Sequence, residues 1–121
     1  MYEKNPERKL FFTVKVIVSG HGGHSSVPYL SHNPILPALR LIQIISEKIV
    51  YEFDSFQNVA FYPTEFDSGT QQNIIPNDAF IKFIGECVSS NNKEEILEIL
   101  ETCAKSIEIM HHVKIEFEEI I

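Results

Sequence analysis

Imidazoles carried on a glycine-rich turn are the groups in this chain best suited to chemistry. Residues 20–35 read Gly-His-Gly-Gly-His-Ser-Ser-Val-Pro-Tyr-Leu-Ser-His-Asn-Pro-Ile, with three histidines, three glycines and two prolines crowded together. Histidine titrates near neutrality, and glycine lets backbone pass close to a ligand or adopt positive φ. His24, between Gly23 and Ser25-Ser26, is expected to be accessible. An accessible imidazole can donate to a developing oxyanion or relay a proton. His21 and His32 stand three residues before it and eight after it, an irregular spacing for metal ligands.

The other titratable groups offer less. His111-His112 are adjacent at a helix end, where the helix dipole favours a cation and neighbouring rings project apart. Glu118-Glu119 has the look of a catalytic carboxylate pair, but strand neighbours face opposite sides of a sheet. Glu94-Glu95 falls in a helix's first turn, where acids complement the dipole. There is no phosphate-cradling glycine loop with lysine, no nucleophile elbow and no helix with two histidines four apart. By its own residues the chain holds no complete active site and no metal site.

Bulk properties narrow the class further. A length of 121 residues suits one domain able to bury its own core. A net charge of −7 argues against nucleic acid, whose phosphates require a basic face. No run of 18 apolar residues is present, and the first nine residues lack a signal peptide's apolar centre, so a cytoplasmic protein away from the membrane is expected. Cys87 and Cys103 are too few and too far apart for a thiolate zinc site and read as buried free thiols.

The elements that must position His24 follow from periodicity. Lys9 to Ser19 alternates, with Phe12, Val14, Val16 and Val18 on one face, and predicts a half-buried strand. Asn33 as N-cap and Pro34 at the first helical position open a helix. Its apolar residues Ile35, Leu39, Ile42, Ile45 and Ile49 are joined by Leu36, Leu41, Ile44 and Val50. That surface is wider than one stripe, as expected of a helix covered on two sides, the second by a partner subunit. Gln57 to Phe66 predicts a second strand, with Pro63 marking an edge or a bulge. Asp67 to Asp78 reads as a polar loop and Ala79 to Val88 as a third strand. Asn92 and Glu95 resemble a capping box for a second helix whose buried face is Ile96, Ile99, Leu100, Cys103, Ile107 and Met110. Val113, Ile115 and Phe117 mark a fourth strand. The βαββαβ order predicts an α+β, ferredoxin-like two-layer sandwich: one antiparallel four-stranded sheet with both helices on one face.

Gly20-x-Gly22-Gly23-His24-Ser25-Ser26-x-Pro28 with Asn33-Pro34-Ile35, followed by Asn73-x-Ile75-Pro76 before the third strand, resembles a known lid domain. It is that of the zinc-dependent exopeptidases and amidohydrolases, the family of succinyl-diaminopimelate desuccinylase, acetylornithine deacetylase, glutamate carboxypeptidase and aminoacylase. The resemblance implies that residues 1–121 are a single lid and dimerisation domain from a larger di-zinc hydrolase of the deacylase or carboxypeptidase type. Two zinc ions would sit in the other, catalytic domain, none here, and this domain alone would be inactive. His24 matches the lid histidine that reaches the partner subunit's site and steadies the substrate's carbonyl oxygen. Asn73 and Gly23 match positions near an N-acyl amino acid or peptide substrate. The first helix and second strand match the elements that pair across the homodimer axis. Two departures bear on substrate preference: Glu86 stands where many members have arginine, and Arg8-Lys9 leads into Leu10 where many carry Arg-Gly. A stand-alone ferredoxin-like module that binds a regulatory small molecule is the competing reading, since this fold hosts many functions.

Overall fold

A computed structural model describes residues 9–54 and 56–120, without the Leu30 side chain. The N-terminal segment read above for a signal peptide, Arg8 included, lies outside the described residues but for Lys9. β1 (Leu10–Ser19) carries the predicted alternation into space, with Phe12, Val14, Val16 and Val18 all buried on one face. β2 (Gly23–His24), α1 (Ile35–Glu52), β3 (Ala60–Ser68), β4 (Ile74–Ile75), β5 (Asp78–Cys87), α2 (Ser90–His111) and β6 (Lys114–Ile120) follow. The sheet runs β3-β5-β1-β6, antiparallel at every pairing. The expected βαββαβ sandwich is what forms.

One core joins the inward residues of the sheet to both helices. Ala79, Ile81, Phe83 and Cys87 of β5 lie beside the β1 row, and α1 supplies Ala38, Leu41, Ile45 and Ile49. Ile96, Leu100, Cys103, Ala104 and Ile107 of α2 close it. Each of the buried valine, leucine, isoleucine and phenylalanine side chains contributes roughly 1.5–3 kcal/mol through the apolar area it removes from water. Phe61 stacks between Phe12 and Phe83, with ring centroids 6.1 and 4.7 Å away. Both cysteines are buried and free, and burial pushes both thiols up.

The local signals held with shifts. The second strand starts three residues later than expected, at Ala60, and runs on to Ser68. It is an edge strand, and its register slips between Pro63 and Glu65, so Pro63 marks both features foreseen for it. Asn33 does cap α1: its Oδ1 accepts from the Ile35 amide at 2.9 Å, while Pro34 already has helical angles. The cap of α2 is Ser89, not Asn92. Ser89 Oγ accepts from Asn92 N at 3.2 Å, and the buried Asn92 side chain instead donates to Glu95 at 3.0 Å. Ser89 is in the extended conformation an N-cap requires (φ −138°, ψ 151°), while Asn92 already lies inside the helix. Met110, expected inside, is 65% exposed: the inward row of α2 passes from Ile107 to His111, four residues on, and leaves Met110 at its margin.

Candidate functional site

A second, much smaller sheet builds the site. Gly23–His24 (β2) pairs antiparallel with Ile74–Ile75 (β4), setting Gly23 opposite Ile75 and His24 opposite Ile74. The histidine motif and the asparagine motif are therefore one structure. Ser25 N donates to the Asn73 carbonyl at 3.2 Å, which places Asn73 directly beside the His24 turn. His21 and His32 exchange two backbone hydrogen bonds, of 2.8 and 2.7 Å, and close the intervening loop at its base. A short 3-10 turn at Pro28–Leu30 fills the loop's far side.

The glycines permit this closeness. A Cβ on Gly22 would lie 2.1 Å from the Ile75 carbonyl oxygen and 2.8 Å from Pro76 backbone, so only glycine lets the two segments meet. A Cβ on Gly20 would lie 2.0 Å from the His32 carbonyl oxygen. Gly23, by contrast, has ordinary room, with Ser31 Cβ the nearest atom at 3.8 Å. Asn77, which sequence reasoning passed over, ties the arrangement to the main sheet. Its Oδ1 accepts from Gly22 N at 2.9 Å and its carbonyl from Gly20 N at 2.7 Å. Its place directly after Ile-Pro was the available signal. Ser26 was also missed as a partner of His24: its amide donates to His24 Nδ1 at 3.1 Å.

His24 is exposed at the tip of this ribbon, and His21 and His32 use their backbone, not their rings, to shape it. The imidazole thus stands free to meet a group from outside. Among the described residues no three His, Cys, Asp or Glu side chains come together to hold a metal ion. A zinc ion therefore finds no ligand set at this site among the described residues.

The remaining candidates are placed elsewhere. Glu86 lies at the other end of β5 from Asp78, eight residues away, or about 26 Å at a strand's rise. The Tyr62 hydroxyl, 2.5 Å from it, holds its carboxyl below the usual range against an opposing desolvation, and Lys9 at 3.3 Å adds to the effect. The Tyr62 phenol is pushed up in turn. Glu118 and Glu119 face opposite sides, as expected, and Glu119 pairs with Lys93 at 2.6 Å.

His32 and His112 rings lie 5.6 Å apart, and His112 ends α2 in the left-handed conformation. Beside them His111 has an Nε2 shut off from solvent with no hydrogen-bond partner. Burial first, then Arg40 and His112, hold His111 below the usual histidine range, outweighing the helix-end effect expected from sequence. Below about pH 6.5 the unfolded chain therefore binds a proton that the folded chain refuses. Stability is expected to fall as pH drops through and below that value, and His111→Asn should flatten the dependence in urea titrations. An equal slope in both proteins would remove His111 as its source.

Residues 7–110 match the family described as the peptidase dimerisation domain. Thermostable carboxypeptidase 1 of Saccharolobus solfataricus is 34% identical over 90 residues, covering 71% of this chain and 23% of that protein. N-acetylcysteine deacetylase of Bacillus subtilis is 24% identical over 103 residues, covering 85% of this chain and 27% of that protein. A solved structure from methicillin-resistant Staphylococcus aureus, described as an aminohydrolase, superposes with a TM-score of 0.87 at 20% identity. The match covers 93% of this chain and 30% of that one, and it supports the fold. The chain therefore spans about a quarter of the length of the curated relatives it matches, 23% to 27%.

Proposed function

Because the chain belongs to the M20 peptidase dimerisation domain family, we propose that it pairs two subunits of a zinc-dependent amide or peptide hydrolase. In the same act it lends His24 to the partner subunit's active site. The carrying observation is the β2–β4 ribbon, which sets His24 and Asn73 side by side at an exposed tip outside the helix-and-sheet core. An imidazole N–H aimed at an acyl carbonyl oxygen would stabilise the charge that develops there, while Asn73 and Gly23 border the substrate. The zinc ions and the rest of the active site would come from a catalytic domain, so this segment by itself would not hydrolyse N-acyl amino acids or peptides. Two buried free thiols suit a reducing compartment, which supports a cytoplasmic setting.

The pairing surface in this reading is α1 with β3. Leu36, Leu39, Gln43, Ser46 and Val50 recur three and four residues apart and form an exposed stripe without a charge. The opposite flank of α1 carries Lys48 and Glu52, which face Glu95, Glu98 and Thr102 of α2 across a shallow depression. The uncharged stripe thus lies on the side away from α2, where α1 overhangs the open edge of β3. Phe66, in register with the inward Ile81, adds an exposed ring to the same edge. Apolar contacts and a free strand edge together favour a two-fold contact between identical copies.

The test is the mass of the 121-residue chain in sedimentation equilibrium. A dimer is expected, with association weakened at least tenfold (about 1.4 kcal/mol) by Leu39→Glu or Val50→Lys. Glu101→Lys, on the outer face of α2, should leave the mass unchanged. A wild-type monomer at high concentration, or equal loss in all three variants, would count against this interface.

A further inference from the structure

His24 does not stand alone at the ribbon's tip, for Ser26 aims two groups at one of its ring nitrogens. The Ser26 amide lies 3.1 Å from His24 Nδ1, and the Ser26 hydroxyl lies 2.8 Å from the same atom. A backbone amide can only donate, so Nδ1 must offer a lone pair, and the ring proton then sits on Nε2. The hydroxyl can rotate to agree, donating to the same lone pair. The opposite tautomer would set an Nδ1–H against the amide hydrogen. Val27 N donates to the His24 carbonyl at 3.2 Å and closes the turn behind the ring.

We propose that Ser26 is a positioning residue that locks His24 as the Nε2–H tautomer, so that the imidazole serves as an outward hydrogen-bond donor and not as a base. The ring's one free lone pair is consumed inside the turn, which leaves only an N–H to present. Of the two roles that sequence left open, donor and proton relay, the turn keeps the first. This rests on the reading of His24 as an oxyanion donor, but its geometry is a property of the isolated chain and is testable there.

The experiment is nitrogen NMR of the 121-residue chain, labelled at histidine and serine, at alkaline pH. His24 Nδ1 is expected at the pyridine-type limit and Nε2 at the pyrrole-type limit, with a through-hydrogen-bond coupling between Nδ1 and the Ser26 amide nitrogen. In Ser26→Ala the loss of the shorter contact should move both shifts measurably toward the free-histidine mixture, and Ser26→Thr should restore them. Overall amide spectra of the variants report whether the fold is kept. A proton on Nδ1 in the wild type, a wild-type ring already at the free-histidine mixture, or a Ser26→Ala spectrum identical to wild type would overturn the proposal. Failure here is separable from failure of the oxyanion reading. A locked Nε2–H in a hydrolase indifferent to His24→Ala would refute only the latter; an unlocked ring in a hydrolase crippled by His24→Ala would refute only the former.

Discussion

In a full-length hydrolase carrying this segment, His24→Ala is expected to lower kcat by about 10²–10³-fold, with KM changed by a few-fold at most. The asymmetry follows from when the contact matters. A ground-state carbonyl oxygen carries little charge and gains little from one more donor. The tetrahedral intermediate carries nearly a full charge, and losing a donor aimed at it costs about 2.7–4 kcal/mol. His24 is exposed and outside the core; its loss returns the Ser26 amide and hydroxyl to water, while the turn keeps its backbone bonds from Ser25 and Val27. His24→Asn, which keeps an N–H but shortens its reach, should recover only part of the rate. A fall in kcat/KM that came wholly from KM would assign His24 to substrate binding instead.

Gly22→Ala is expected to cost nearly as much activity while leaving the core folded. The new Cβ would lie 2.1 Å from the Ile75 carbonyl oxygen, inside any tolerable contact, and the opposing atoms are backbone. The strain is relieved only if β2 and β4 separate, which breaks the Gly22–Asn77 hydrogen bond and releases His24 from its register with Ile74. Misplacing a catalytic group by about 1 Å can cost 10²-fold. The main sheet does not depend on this ribbon, so overpacking should reduce global stability by only about 1–3 kcal/mol. Gly23→Ala is the matched control, since a Cβ there finds its nearest neighbour at 3.8 Å. Cross-strand NMR contacts between His24 and Ile74 should vanish in Gly22→Ala and persist in Gly23→Ala; their survival in both would show that the ribbon can absorb the extra atom.

Sequence periodicity carried most of the fold because the core is built from it. Val14, Val16 and Val18 alternate, and Leu41, Ile45 and Ile49 recur every four residues, so each element announces which face it buries. What periodicity missed has no period. The β2–β4 ribbon is two residues per strand, too short to alternate, and its partners lie some fifty residues apart. The polar loop expected over Asp67 to Asp78 holds β4, which no local pattern signals because its strand partners lie in a distant segment; a turn bond from Ile74 N to the Gln71 carbonyl at 3.3 Å leads into it. The cap of α2 was misplaced for a related reason: Ser89 and Asn92 are both good capping residues, and only the strand's end decides between them. At the site itself, residue type singled out His24 and the family resemblance Asn73, but neither could show that they touch the same turn. The glycines were correctly read as enabling close approach, yet the approach is to this chain's own backbone. Ser26 and Asn77, whose hydrogen bonds give the turn its shape, are ordinary polar residues with no signature of their own.

The most direct measurement uses two full-length subunits with complementary defects. One carries His24→Ala with an intact catalytic domain; the other keeps His24 but has a disabled catalytic domain. Each homodimer should be nearly inactive. If His24 crosses to the partner's site, each mixed dimer regains one working site of two, and statistical mixing should restore about a quarter of wild-type activity. If His24 serves its own subunit, no dimer in the mixture has a complete site, and activity that stays at the level of the separate homodimers would contradict the account.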